Sequence, residues 1–169
     1  MFTGIIEAQG ELVGLRKEGT NVHLDVKAPF TSELQIDQSV AHDGVCLTVV
    51  YLNGDVYTVT AIDETLKKTH LGHVEVGQVF NLERCAKVGD RIDGHVVQGH
   101  VDTTGTLKAV EEQDGSWILR VAHPVAPEWI TVPKGSIALA GISLTVVDSA
   151  PGEFSVAIIP YTWEHTNLH

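Results

Sequence analysis

Residues 39–50 read SVAHDGVCLTVV and residues 136–147 read SIALAGISLTVV. Seven of these twelve positions are identical at a constant offset of 97. The register continues downstream without a gap: Tyr57 faces Phe154, Val59 faces Val156, Ile62 faces Ile159, Thr65 faces Thr162, Thr69 faces Thr166 and Leu71 faces Leu168. Upstream the offset becomes 95, pairing Gly4 with Gly99, Gly10 with Gly105, Leu12 with Leu107, Leu24 with Leu119 and Val26 with Val121. The second copy therefore carries two extra residues between Val121 and Ser136. One fold is used twice, with a boundary near Gly94, so the expected domains are residues 1–94 and 95–169. Copies of this length are too long for the stacked units of a solenoid, which run roughly 20–50 residues.

Strand patterns dominate each copy. GTNVHLDVKA alternates, with Val22, Leu24 and Val26 on one face and His23, Asp25 and Lys27 on the other. The β-branched runs VCLTVVYL and ISLTVVDS are followed by DVYTVTAI and EFSVAII, with turn signals at Asn53-Gly54, Asp114-Gly115 and Pro151-Gly152. Short strands at this spacing read as an all-β chain, a small antiparallel barrel or sandwich in each copy. The helical windows are ETLKKTHL and TSELQ, the latter with Thr31 or Ser32 as its cap. The copies differ in extent. The first runs on past Leu71 through GHVEVGQVFNLERCAKVGDRID, whereas His169 aligns with Gly72, so the second barrel is expected to be incomplete, lacking the counterpart of VFNLERC.

The chain has 169 residues, 43% hydrophobic and 20% charged, which suits a folded core. Its 11 Lys and Arg against 22 Asp and Glu give a net charge of −11, a poor match to a nucleic-acid backbone. No apolar run of the length of a membrane-spanning helix is present. The opening MFTGIIEAQGEL has no basic stretch before its apolar residues and carries Glu7 and Glu11, so no signal peptide is expected. Cys46 and Cys85 are expected to be reduced thiols in a cytoplasmic protein. Among nine histidines the densest group is GHVVQGH, but His95 and His100 stand five apart, which on a strand places them on opposite faces. No CxxC, HExxH, nucleotide-binding glycine pattern or GxSxG elbow occurs, so no metal and no cofactor are expected. What remains is a set of polar residues repeated at equivalent strand positions: Cys46 with Ser143, Thr48 with Thr145, Thr65 with Thr162. Matched polar positions on duplicated barrels suit two similar small-molecule pockets.

Six segments, MFTGII, SVAHDGVCLTVV, DETLKKTHL, GHVVQGHVD, KGSIALAGISLTVV and AIIPYTWEHTNL, resemble the riboflavin synthase family of α-chain type in order and spacing. The resemblance implies a tandem pair of six-stranded antiparallel Greek-key barrels related by pseudo-twofold symmetry. It implies a transferase of riboflavin biosynthesis that needs no cofactor. The reaction is dismutation of two molecules of 6,7-dimethyl-8-ribityllumazine by four-carbon transfer, giving riboflavin and 5-amino-6-ribitylamino-pyrimidinedione. By the resemblance, His100, Cys46 and Ser143 are the catalytic candidates. Substrate contacts fall on Phe2, Gly4, Ile5, Ile6, Ser39, Cys46, Leu47 and Thr48, and on Thr60, Ala61, Ile62, Asp63, Glu64 and Thr65. Gly99, His100 and Val101 join them from the linker side. The second half contributes Lys134, Ser143, Leu144 and Thr145, then Ile158, Ile159, Pro160, Tyr161, Thr162 and Trp163. Two lumazines meet where the N-terminal barrel of one subunit faces the C-terminal barrel of the next, in a homotrimer that can associate with lumazine synthase.

Asp43 and Ala140 stand where the family has Asn or Asp before the glycine. The family continues into a further strand, with an acidic residue that reaches the site, and a trimer-forming helix. Without them the chain is expected to be monomeric or loosely associated. The alternative within the same family is a lumazine- or flavin-binding antenna protein. The intact GVCLTV, GHVVQGHVD and GISLTV favour the enzyme.

Overall fold

A computed structural model describes all 169 residues. The alternation seen in the sequence governs burial: along β2 (Asn21–Lys27), Val22, Leu24 and Val26 turn inward. The other strands of the first half are β1 (Ala8–Glu18), β3 (Ser39–His42), β4 (Val45–Asn53), β5 (Val56–Ala61) and β6 (Val79–Arg84). They close into a barrel in the order β1-β2-β5-β4-β3-β6, every pairing antiparallel. The second half repeats the plan with β7 (Thr106–Gln113), β8 (Ser116–Ala122), β9 (Ser136–Leu139), β10 (Ile142–Ala150) and β11 (Glu153–Ile158). Its order, β7-β8-β11-β10-β9, is that of the first half without a sixth strand, so the sheet stays open.

The duplication reaches into irregular detail. The first strand of each half is bulged at equivalent places, between Leu12 and Gly14 and between Leu107 and Ala109. So is the fourth, between Val49 and Tyr51 and between Val146 and Ser149. Asp37 and Lys134, 97 residues apart, both adopt positive φ, and their N–H groups donate to Val49 O and Val146 O. Bulges at matched positions bend the two sheets alike.

Closure decides where the core sits. Strand β6 contributes Phe80 and Leu82, both fully buried, to a cluster of 18 buried residues, whereas the second half gathers only 6. On its open side Leu107 and Val110 stay exposed and Ile137 and Leu139 only half-buried. A helix closes one end of each half. In α1 (Asp63–Lys68), acidic residues fill the first turn and lysines the last, joined by Lys67–Asp63 and Lys68–Glu64 ion pairs one turn apart. In α2 (Pro160–His165), proline opens the helix, and Trp163 stacks on Trp117 at 4.5 Å over the second core. No helix is long and apolar enough to cross a membrane.

Two local expectations change. TSELQ forms only one 3₁₀ turn, Thr31–Glu33, with no side-chain cap. Thr31 is buried instead, its hydroxyl 2.9 Å from the carbonyl oxygens of Ala28 and Asp55. The histidine-bearing segment 94–105 is no regular strand; its one ladder contact is an isolated bridge from Val97 to Phe2.

The barrel also encloses a polar pair. His42 is fully buried, with Nε2 2.8 Å from Tyr57 Oη and Nδ1 3.1 Å from Val40 O. Burial pushes its pKa from 6.5 down to about 4. The folded chain therefore keeps His42 neutral where the unfolded chain protonates it. The resulting stability is complete above about pH 6.5 and is lost as the pH falls toward 4, by about 3 kcal/mol. Urea unfolding at pH 7 and pH 4 checks this: His42→Gln is expected to lose about that much less stability between the two pH values than the parent chain.

Candidate functional site

Phe2 and Val97 are equivalent residues, 95 apart, and they pair with each other: Phe2 N–H donates to Val97 O at 2.7 Å and Val97 N–H to Phe2 O at 2.9 Å. Equivalent residues bond reciprocally only where the axis relating the copies passes between them. Gly44 and Gly141, 97 apart, meet on the same axis. A Cβ on Gly141 would stand 2.7 Å from Gly44 N, and one on Gly44 3.0 Å from Gly141 N. On either side of the axis the copies exchange main-chain bonds. Cys46 N–H donates to Gly99 O at 2.9 Å, and Ser143 N–H donates to Gly4 O at 2.7 Å. Each copy's leading segment thus crosses to the other copy's fourth strand.

Glycine is what permits the crossing. Gly4 and Gly99 have φ of 75° and 84°. A Cβ on Gly4 would lie 2.7 Å from Ser143 Cβ, and one on Gly99 2.6 Å from Cys46 Cβ and 2.7 Å from the Phe2 ring. The axis therefore gathers Phe2, Gly4, Cys46, Gly99 and Ser143 from the residues proposed from sequence. Of the other residues proposed for the first half, Leu47 and Ala61 are buried, Thr48 is exposed, and Val101 packs on the first core. In the second half, Leu144 and Trp163 pack on the second core, and Thr145, whose register partner is Ser136, is exposed.

The side chains break the symmetry. Ser143 Oγ lies 2.7 Å from His95 Nδ1, and His95 N–H donates to Thr3 O at 3.0 Å. With its proton on Nε2, His95 accepts from the serine hydroxyl and can draw a proton through it. Cys46 is half-buried, and its thiol makes no hydrogen bond. His100 is exposed and touches neither Cys46 nor Ser143 through a hydrogen bond. Sequence reasoning put His100 among the catalytic candidates and weighed His95 only as a metal ligand. Gly94 makes room for the contact: a Cβ there would lie 2.1 Å from Thr3 O and 3.0 Å from Ser143 Oγ.

Other proposed contacts lie farther out. Ile5, Ile62, Ile159 and Tyr161 are exposed, with Tyr161 stacked on His165 at 4.0 Å. Ile6 is half-buried, as is Ser39, paired with Thr48. Thr60 Oγ1 bonds His23 Nδ1 at 2.9 Å, and Asp63 and Glu64 are taken up by the α1 ion pairs. The carbonyls of Thr65 and Thr162 accept the hydroxyls of Thr69 and Thr166 at 2.7 and 2.6 Å. Ile158 is fully buried, Pro160 begins α2, and Lys134 holds positive φ at the turn before β9.

Cavity size does not by itself mark the site. A cavity of about 670 Å³ has Gly99, His100 and Val101 on its wall but neither Cys46 nor Ser143. Its floor is Val121, Val146 and Phe154, the second core seen through the open side of the sheet. A second cavity of about 490 Å³ is lined by Ile5, Ser39, Glu83 and Arg84. No three His, Cys, Asp or Glu side chains gather closely enough to hold a metal ion.

The lumazine binding domain profile matches the chain twice, over residues 3–85 and 98–169. Riboflavin synthase of Mycobacterium tuberculosis (strain ATCC 25618 / H37Rv) is 39% identical over 173 residues, spanning 99% of this chain and 86% of that protein. The chain belongs to the riboflavin synthase family. The synthases of Actinobacillus pleuropneumoniae and Escherichia coli (strain K12) are each 38% identical across 99% of the chain, covering 79% and 80% of those proteins. The fold is shared with crystal structures of LumP complexed with 6,7-dimethyl-8-(1'-D-ribityl) lumazine and with riboflavin, at TM-scores of 0.87 and 0.90 and 22% identity, over 99% of this chain and 92% of those.

In this member of the riboflavin synthase family the glycines at the axis carry a measurable load. Gly4→Ala and Gly99→Ala each combine backbone strain with a clash and are expected to cost about 3 kcal/mol. Gly19→Ala, with φ 63° and nothing within 4 Å of the new Cβ, is expected to cost only about 1 kcal/mol. Denaturant midpoints of the three variants measure the difference.

Proposed function

We propose that this chain is a cytoplasmic riboflavin synthase that dismutates two molecules of 6,7-dimethyl-8-ribityllumazine into riboflavin and 5-amino-6-ribitylamino-pyrimidinedione. Two halves, 1–94 and 95–169, each take one lumazine, the first beside Cys46 and the second beside Ser143. The observation that carries the reading is the Ser143–His95 contact at 2.7 Å, beside the axis where the halves exchange bonds. The 7-methyl group of this lumazine is acidic for a C–H, and its deprotonation makes the carbon nucleophile. A serine hydroxyl bonded to a neutral imidazole relays a proton away from such a carbon. Proton transfer by a placed base is worth about 10²–10⁴ in rate. Holding the two lumazines face to face makes the carbon–carbon step effectively unimolecular. The complete site pairs the N-terminal half of one chain with the C-terminal half of another. Both halves then contribute recognition: hydroxyls of Thr48 and Thr145 toward ribityl chains, main-chain groups toward the ring edges.

The purified chain, mixed with 6,7-dimethyl-8-ribityllumazine, is expected to form riboflavin, followed by its absorbance, at a rate that EDTA does not change. A stable shift in lumazine fluorescence without riboflavin would assign the antenna role instead. His95→Asn and Ser143→Ala are each expected to lower kcat about 100-fold, and the double variant little further, because the two act as one unit.

A further inference from the structure

Strand β6 points Phe80 and Leu82 into the barrel, which leaves Asn81 and Glu83 on its other face. Glu83 is nonetheless buried, at 7% exposure. A carboxylate out of water on the outer face of a strand needs partners, and all of Glu83's lie on one loop. Its Oε1 accepts from Thr3 N–H at 2.6 Å and from the Thr3 hydroxyl at 2.7 Å, and its Oε2 accepts from Gly4 N–H at 2.9 Å. The amides of two successive residues are thereby fixed by one side chain. The carbonyls of the same two residues face the other half: Thr3 O accepts His95 N–H at 3.0 Å and Gly4 O accepts Ser143 N–H at 2.7 Å. The Thr3–Gly4 peptide unit, whose N–H Glu83 holds, thus carries His95 on its carbonyl, and the next unit along the clamped loop carries Ser143.

We infer that Glu83 is a positioning residue for the Ser143–His95 pair, acting across the pseudo-twofold axis from the first barrel on the second half's serine. The inference rests on the proposed function for its kinetic consequence and on geometry alone for its structural one. One rigid peptide unit, Thr3–Gly4, links the carboxylate to His95, and Ser143 hangs on the next unit of the same loop. A shift of the Thr3–Gly4 loop therefore changes the Oγ–Nδ1 separation directly. Charge-assisted hydrogen bonds to main-chain N–H groups are the strong kind, which is why a carboxylate rather than an amide holds this loop.

The test uses the full chain carrying Glu83→Gln. Glutamine supplies one acceptor oxygen, enough for Thr3, and turns an N–H₂ group toward Gly4 N–H, so the hold on the Thr3–Gly4 peptide unit, whose carbonyl carries His95, is the one that breaks. With folding verified by circular dichroism, kcat is expected to fall about 10- to 100-fold with KM changed less than about threefold. The ¹⁵N resonance of His95 Nδ1 is expected to move toward that of an unbonded imidazole. Tyr57→Phe, which removes a buried hydrogen bond from His42 inside the first barrel and touches neither Glu83 nor the pair through a hydrogen bond, is the control for general destabilisation. It is expected to lower the melting temperature while leaving kcat and the His95 resonance in place. If Glu83→Gln does not fold, Glu83→Asp, which keeps the charge but withdraws it by one methylene, is read in the same way. An unmoved His95 resonance overturns the inference, whatever kcat does. A parent chain that makes no riboflavin overturns the proposed function instead, and the positioning inference is then decided by the resonance alone.

Discussion

Two main-chain hydrogen bonds, Cys46 N–H to Gly99 O and Ser143 N–H to Gly4 O, tie the halves together by exchanging their leading segments. Each is worth only about 1 kcal/mol net. Their consequence is geometric. For a peptide to lie against the fourth strand of the opposite copy, no side chain can stand between them, so positions 4 and 99 must be glycine. At the axis itself Gly44 and Gly141 approach so closely that neither tolerates a Cβ without movement. The same closeness brings the side chains at 46 and 143 beside residues from the other half.

That junction compensates for unequal halves. The closed barrel holds most of the buried apolar residues, and the open sheet has little core of its own. A second bridge supports it. Asn167 N–H donates to Asn81 Oδ1 at 2.7 Å, Asn81 Nδ2 donates to Asn167 Oδ1 at 2.7 Å, and Asn167 Nδ2 donates to Asp43 Oδ1 at 2.9 Å. Asn81 Nδ2 also reaches Ala140 O at 3.0 Å. Ala140 repeats the positive φ of Asp43, 47° against 48°, without a polar side chain to ease it. The barrel thus supplies from β6 the hydrogen bonding that its twin position lacks.

The repeat was legible because burial in a strand constrains every second residue, and the two copies keep those residues. The strand order of the second half was legible for the same reason, since β7 to β11 align with β1 to β5 strand for strand. The bulges were not read, although Gly14 in GELVGL stands where the kink after Leu12 falls; its equivalent in the second copy is Ala109, so the repeat does not stress it. Cys46 and Ser143 emerged from the alignment of the copies. His95 did not, because its meaning lies in a contact 48 residues away. Reading GHVVQGH as a strand set its histidines on opposite faces, but the segment crosses the axis as irregular backbone, where strand periodicity has no force.

The proposed dismutation sets a problem that symmetry cannot solve. Two identical molecules must play opposite parts, one giving four carbons and the other receiving them, so two identical pockets would leave the roles undecided. The duplicated strands have diverged at the position where decision is possible. On one side the fourth strand presents a serine bonded to an imidazole; on the other it presents a thiol with no partner. Under the proposed function only the molecule beside Ser143 has a base relay next to it, and proton removal begins there. The molecule beside Cys46 meets a small polarizable group that neither gives nor takes a proton through a bonded partner. Under the same proposal the two halves give two nearly equal seats, and one histidine, placed by a glycine that lets it approach Thr3, makes them unequal.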